Sequence, residues 1–428
     1  MKLKLSNVGK IRKAEIEFNG ITVIAGENDT GKSTVGKMFF CVFHSFYKIQ
    51  EQINEERQKT IARVIATYYH EAANRLTRGF NTIQFARYIV ENRERFLENK
   101  QSMIKELEEF YLSADSHFDK YMDQESLKIL IDKIYSFLKV EDSAIRENIL
   151  RKRIVAEFAM KTGYLNRPDE KTEVSLEIKN GKVDFEISNN DDIVIHRFIS
   201  LVKKIIYIDD PFVLDNLNVN VPLRMLNNCE HSGELLYTIA NGESKDEFSV
   251  VDELVRKEKL QKIFEAMDGV CDGSLIEGDG GQYIYRTSQL EDSLEMVNLS
   301  TGMKSFIIIK KLLENGSIEE NGVLILDEPE IHLHPEWQLK FAEVIVLIQK
   351  EFGINILLNT HSPYFLNAIE VFSEKHGIDR KCSYYLTDVK NGRTDILDVT
   401  QSRELIYDKL AEPLQKLENL EYRNGNTI

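Results

Sequence analysis

Two glycines, a lysine and a hydroxyl in Gly26-Glu27-Asn28-Asp29-Thr30-Gly31-Lys32-Ser33 fit the spacing G-x-x-x-x-G-K-[ST]. In such a turn, backbone N–H groups converge on an anion, the lysine reaches the β- and γ-phosphates of a nucleotide, and the hydroxyl ligates Mg²⁺. The apolar run Gly20–Ala25 before it and the helix-like stretch Lys32–Phe43 after it supply the strand and helix that this loop requires. The segment reads as a cradle for ATP or GTP.

Three further segments carry chemistry. Val323-Leu324-Ile325-Leu326 reads as a buried strand lying beside the phosphate-loop strand, and it ends in Asp327-Glu328. Ligands of open α/β sheets collect at that carboxyl edge. There Asp327 would hold Mg²⁺ through water, and Glu328 would orient or deprotonate an attacking water. An acidic strand end is commonplace by itself; the phosphate loop gives this one its meaning. In Asn298-Leu299-Ser300-Thr301-Gly302-Met303-Lys304, Ser300 and Gly302 put a hydroxyl and bare backbone at a helix start. That is an anion site, although alone it is only a cap. In Leu358-Asn359-Thr360-His361-Ser362-Pro363, His361 closes an apolar strand and would reach a γ-phosphate or a water. A lone histidine in such a place is usually structural.

The elements that must hold these residues read as an α/β chain. Its 428 residues suffice for two or three domains, or for one large domain with insertions. Hydrophobic content of 42% and charged content of 29% are those of a soluble globular protein. There is no run of 18 apolar residues and no secretory signal, so no membrane contact and a cytoplasmic location are expected. Four scattered cysteines without a C-x-x-C pair argue against a zinc site or a disulfide framework. A net charge of −15 excludes a broadly basic nucleic-acid surface. Local basic runs remain at Lys2, Lys4, Lys10, Arg12 and Lys13 and at Arg151-Lys152-Arg153; such runs are more often solvated faces.

Hydrophobic spacing divides the chain into five stretches. Residues 1–48 carry the strands Leu3–Val8, Ala14–Phe18 and Ile21–Ala25 and the phosphate loop, and residues 49–170 form a helical insertion without sustained heptads. Residues 171–213 return to strands, with a hairpin at Asn180-Gly181 and the strand Ile205–Ile208. Residues 214–280 read as a second helical region. Residues 281–428 alternate helix and strand around the remaining motifs.

The order and identity of these motifs resemble the ABC-type ATPases of the RecF/SMC/OLD group. GENDTGKST matches the phosphate loop with the group's usual asparagine at Asn28. LSTGMKS corresponds to the signature, LILDEPEIHLHPEWQ to the Walker B and D-loop run, and LNTHSP to the switch histidine. The resemblance implies an ABC-type head, a mixed sheet with flanking helices, interrupted by the helical insertion. It implies ATP and Mg²⁺ as ligands. Gly26, Asn28, Asp29, Thr30, Gly31, Lys32, Ser33 and Thr34 would form the cradle, with Ser33 and Asp327 on the metal. Glu328 would be the general base and His361 the γ-phosphate sensor. Ser300 and Gly302 would contact nucleotide held by a second subunit, giving a head-to-tail homodimer that closes on ATP. Thr301 and Met303 stand where transporter-type signatures have glycine and glutamine. Asp209-Asp210 is placed near the metal water, and His334 is as well suited to structure as to catalysis.

A hinge-tipped coiled coil, a cysteine hook and a TOPRIM nuclease domain are all missing from the sequence. The expectation is therefore a slow ATPase without nuclease activity. It resembles compact OLD-like proteins of bacterial anti-phage systems, working as a sensor or scaffold with a separately encoded effector. The alternatives are a RecF-like repair ATPase that binds DNA and a non-catalytic platform that keeps its ATP.

Overall fold

A computed structural model describes residues 1–72, 82–114, 124–159, 170–179, 181–188, 192–218, 230–242, 250–278, 281–287 and 293–425. They form two compact units, a head of Met1–Tyr47 with Leu150–Ile428 and a helical unit of Lys48–Ile149.

The strands of the head are β1 (Lys2–Val8), β2 (Ile11–Glu17), β3 (Ile21–Ala25), β4 (Thr172–Ile178), β5 (Gly181–Ile187), β6 (Ile193–Arg197), β7 (Ile205–Ile208), β8 (Ser274–Glu277), β9 (Tyr283–Arg286), β10 (Val323–Asp327), β11 (Asn355–Thr360), β12 (Cys382–Lys390) and β13 (Arg393–Asp398). Eleven of them make one sheet in the order β6-β5-β4-β1-β2-β13-β12-β3-β11-β10-β7, and β8 pairs with β9. From β12 to β7 every neighbouring pair is parallel. These strands are continuous apolar runs because both faces are covered: every residue of β3, β7 and β10 is buried. The antiparallel β1–β2 hairpin turns at Gly9, where φ is 53°, and β2 alternates buried and exposed residues.

Alternation across the sheet sorts the core into two layers. Val23, Leu324, Leu326, Ile356 and Leu358 face one cluster. It includes α10 (Thr301–Glu314) and α11 (Pro335–Phe352), with Phe306 set edge-on to Phe341, centroids 5.0 Å apart. Ile24, Ile325, Leu357 and Tyr207 face the other, around α1 (Lys32–Phe46). The α/β class expected from the sequence is what the structure shows.

One expectation is corrected. β10 does not lie beside β3; β11 pairs with both and separates them. Ile354–Leu358 and Val323–Leu326 both read as buried strands, and composition does not say which neighbours β3. The carboxyl edge is shared all the same, since Ala25 pairs with Thr360 and Asn359 with Asp327. The strands β6 and β8 had no clear sequence signal. The stretch 214–280 contains a turn of 3₁₀ helix at Pro211–Asn216, then α8 (His231–Asn241), α9 (Val250–Ala266) and β8. Residues 219–229, 243–249 and 279–280 of that stretch, and the hairpin residue Asn180, lie outside the described residues.

The helical unit contains α2 (Ile49–Ala72), α3 (Thr82–Glu91), α4 (Arg93–Glu98), α5 (Lys100–Ala114), α6 (Gln124–Lys139) and the start of α7 (Asp142–Phe158). It has its own core, with Ile61, Ile65, Phe85, Ile89, Phe96, Leu107, Leu130 and Ile134. The buried Arg57 bonds the Val140 carbonyl and the Asp142 carboxylate, the latter at 2.8 Å. The head is completed by α12 (Pro363–His376) and α13 (Glu404–Gly425).

Candidate active site

β3 delivers the chain into a loop whose path needs glycine. Gly26 has φ 154° and Gly31 φ 94°. A β-carbon at Gly26 would overlap the Thr387 hydroxyl on β12, and one at Gly31 would stand 3.1 Å from Ile11. Gly26→Ala should therefore cost about 1–3 kcal/mol and weaken nucleotide binding in parallel, as read by thermal melts with and without ATP. Asp29, at φ 61°, is exposed and pairs with Lys10, while Asn28 is exposed beside it. Thr30 Oγ1 donates to the Glu27 carbonyl at 2.8 Å and closes the turn.

α1 starts at Lys32 with no side chain capping its first N–H groups. These point their partial positive charge at whatever anion occupies the loop. Lys32 is 4% exposed. Its Nζ donates to the carbonyls of Gly26 at 3.0 Å and Glu27 at 2.8 Å, and stands 3.4 Å from Glu328 Oε1. Ser33 and Thr34 follow on the first turn, partly exposed.

Asp327 ends β10 and is buried. Its Oδ2 accepts from the Tyr207 hydroxyl at 2.9 Å, and its Oδ1 from Asn359 Nδ2 at 2.9 Å. Glu328 adopts φ 49°, a conformation that costs free energy in a residue with a side chain. Its N–H donates to the Asn359 carbonyl at 2.9 Å, which fixes that turn. The carboxylate then faces two cationic or polar groups, Lys32 Nζ and His361 Nδ1, each 3.4 Å from Oε1. Lys32, Asp327, Glu328 and His361 thus converge at one edge of the sheet. The donors and carboxylates of this edge fit a nucleotide triphosphate with its divalent cation.

Ser300 caps α10, accepting from the Met303 N–H at 3.4 Å. Gly302 lies against the chain that follows Glu328; a β-carbon there would be 3.0 Å from the His332 carbonyl and 3.2 Å from the Trp337 ring. Among the described residues no hydrogen bond or ion pair joins Ser300 or Gly302 to Lys32, Glu328 or His361. Asp210 caps the turn Pro211–Asn216 through the Phe212 N–H, at 2.8 Å, and His334 caps α11. Both make capping contacts. Asp209 follows β7 at the edge where Asp327 ends β10, and its Oδ2 stands 2.7 Å from His231 Nε2.

Sequence reasoning missed Tyr207, His231, Glu157 and Glu330. Glu330 is buried and accepts from the Thr360 hydroxyl and, at 3.4 Å, from the His361 N–H; burial pushes its carboxyl above the usual range. His231 lies between Asp209 Oδ2, 2.7 Å from Nε2, and Glu157 Oε2, 2.8 Å from Nδ1. Burial lowers its pKa, but the hydrogen bonds of Asp209 and Glu157 outweigh this and raise it from 6.5 to about 9. A folded-state pKa above the unfolded one stabilises the fold fully below pH ~6.5, and the gain is lost as pH rises through about 9. The stability gap between the parent and His231→Gln should accordingly shrink by about 1–3 kcal/mol between pH 6.5 and 10, measured by urea titration.

The Retron Vc95 probable ATPase of Vibrio cholerae serotype O1 biovar El Tor is 23% identical over 399 residues, covering 86% of this chain and 72% of the relative. The Septu protein PtuA of Bacillus thuringiensis is 30% identical over 164 residues, which are 34% of this chain and 40% of that protein's length. Among solved structures, an SmcHead bound to the C-winged helix domain of ScpA aligns over 94% of this chain and 98% of its own, at 10% identity and a TM-score of 0.45. The family model described as an AAA ATPase domain matches residues 1–366. That span takes in the phosphate loop, Asp327, Glu328 and His361, and the chain belongs to the AAA ATPase domain family.

Proposed function

We propose that this chain binds ATP with Mg²⁺ and hydrolyses it slowly, as a nucleotide-gated homodimer in bacterial anti-phage defence. The convergence of Lys32 and His361 on Glu328, both at 3.4 Å, carries this reading. The loop N–H groups and Lys32 hold the β- and γ-phosphates. Ser33 and Asp327 hold the cation, which neutralises phosphate charge when bound. Glu328 takes a proton from water, and His361 orients on the γ-phosphate. The strained backbone at Glu328 fixes the direction of its carboxylate before the nucleotide arrives.

Ser300 and Gly302 lie at the start of α10, where a helix terminus favours an anion. They act on nucleotide held by a second copy, so that ATP closes a dimer. The similarity to a retron ATPase and to a Septu protein supports the defence role, and a separately encoded effector is part of the proposal. The RecF-like alternative is less well supported. Lys2, Lys4, Lys10 and Arg12 of the N-terminal basic run are each engaged with a carboxylate, which lowers the charge they offer to a phosphate backbone.

Turnover of ATP, followed as released phosphate with and without duplex DNA, tests both. Measurable turnover unchanged by DNA is expected. A severalfold rise with DNA that fades with salt would transfer the chain to the repair class.

A further inference from the structure

Asp327 is oriented from both sides of its strand. Asn359 bonds Oδ1 from β11, and the Tyr207 hydroxyl bonds Oδ2 from β7, both at 2.9 Å. The two strands flank β10 in parallel register, Tyr207 opposite Ile325 and Asn359 opposite Asp327. Tyr207 is a costly choice for this place. It is 1% exposed within an otherwise aliphatic strand, and a phenol so buried must find a partner for its hydroxyl. Its partner is the one carboxylate of β10.

Two further features serve the same ring. Gly36, one turn after Lys32 on α1, leaves space for it: a β-carbon there would stand 3.2 Å from the Tyr207 hydroxyl and 3.3 Å from Ile325. The His231 imidazole stacks on the opposite part of the pocket, its centroid 4.3 Å from that of Tyr207 and its plane inclined by 25°. His231 is itself immobilised. Glu157, at the end of α7, receives its backbone N–H at 2.6 Å and its Nδ1 at 2.8 Å, while Asp209 holds Nε2 at 2.7 Å. The Glu157 side chain is 1% exposed. A buried carboxylate spent on a histidine over 70 residues away marks a set of contacts built to hold one ring still.

We propose that Tyr207 and His231 are positioning residues of the nucleotide site: the Tyr207 hydroxyl sets the Asp327 carboxylate for its cation, and the clamped His231 ring sets Tyr207. The inference rests on the reading of Asp327 as the carboxylate that serves the divalent cation. Outer partners of this kind change metal affinity by roughly 10–100-fold when removed.

Manganese(II) is the probe, with the free ion counted by its paramagnetic resonance signal. It is titrated into the full chain together with a non-hydrolysable ATP analogue. Tyr207→Phe keeps the ring on His231 and deletes one hydroxyl. Its manganese affinity should fall by about 10-fold or more, while its affinity for the analogue without divalent cation stays unchanged. His231→Gln, which leaves the hydroxyl in place but removes the stacked plate, should give a smaller fall in the same direction. A Tyr207→Phe chain that binds manganese as tightly as the parent overturns the inference. So does a loss that appears equally in the cation-free affinity, because that reports general disturbance of the fold. A parent chain that takes up the analogue but no manganese overturns the reading of Asp327 itself, a result distinct from either.

Discussion

Glu328→Gln should lower ATP turnover by about 100- to 1,000-fold while leaving nucleotide bound. The exchange preserves shape and the backbone turn held by the Asn359 carbonyl, but glutamine accepts no proton. It also removes the negative charge 3.4 Å from Lys32 and from His361, so a triphosphate should bind at least as tightly as in the parent. Under the proposed mechanism the variant accumulates as an ATP-filled dimer. Single-turnover phosphate release and sedimentation with ATP present check the two halves separately. Undiminished turnover would remove Glu328 as the base. A monomer with ATP fully bound would remove the gating.

Lys32→Ala should be the other severe variant, failing before chemistry. Lys32 is nearly inaccessible and donates to two loop carbonyls, so its loss unfastens the loop as well as deleting a phosphate contact. Each charge-assisted hydrogen bond is worth about 1.5–3 kcal/mol. Removing the cation also leaves Glu328 facing the phosphates without compensation. ATP affinity should therefore drop by roughly 100-fold or more, as measured by calorimetry. The signature is opposite to that of Glu328→Gln: one variant does not bind, and the other binds without turning over.

Much of this site was legible because its signals are local. Four residues at fixed spacing, Gly26, Gly31, Lys32 and Ser33, and the polar ends of two apolar runs are visible in a short window. The strands around them follow from unbroken aliphatic stretches that only a doubly covered sheet accommodates. What stayed hidden depends on distant pairing. Tyr207 meets a residue 120 positions later, and Glu157 one 74 positions later. No window contains either pair. Likewise the place of β11 between β3 and β10 is a fact of sheet order, to which apolar composition is blind. Glu330 sits inside a quoted motif, yet its burial against Thr360 and the His361 backbone shows only in three dimensions.

The stretch between Glu328 and His332 behaves as a short crank. One end is bent into a left-handed turn that aims the Glu328 carboxylate, and the other end bears on Gly302 with no intervening side chain. Under the proposed gating, pressure on the tip of α10 would pass over four residues to the group proposed to handle water. Coupling of this sort would be reciprocal: on that proposal, whatever seats against Ser300 would alter the cutting of phosphate in the same chain, and cutting would alter the grip at Ser300. With a glycine too small to cushion the contact, timing as well as affinity would be what the head exchanges with a second copy in the proposed dimer.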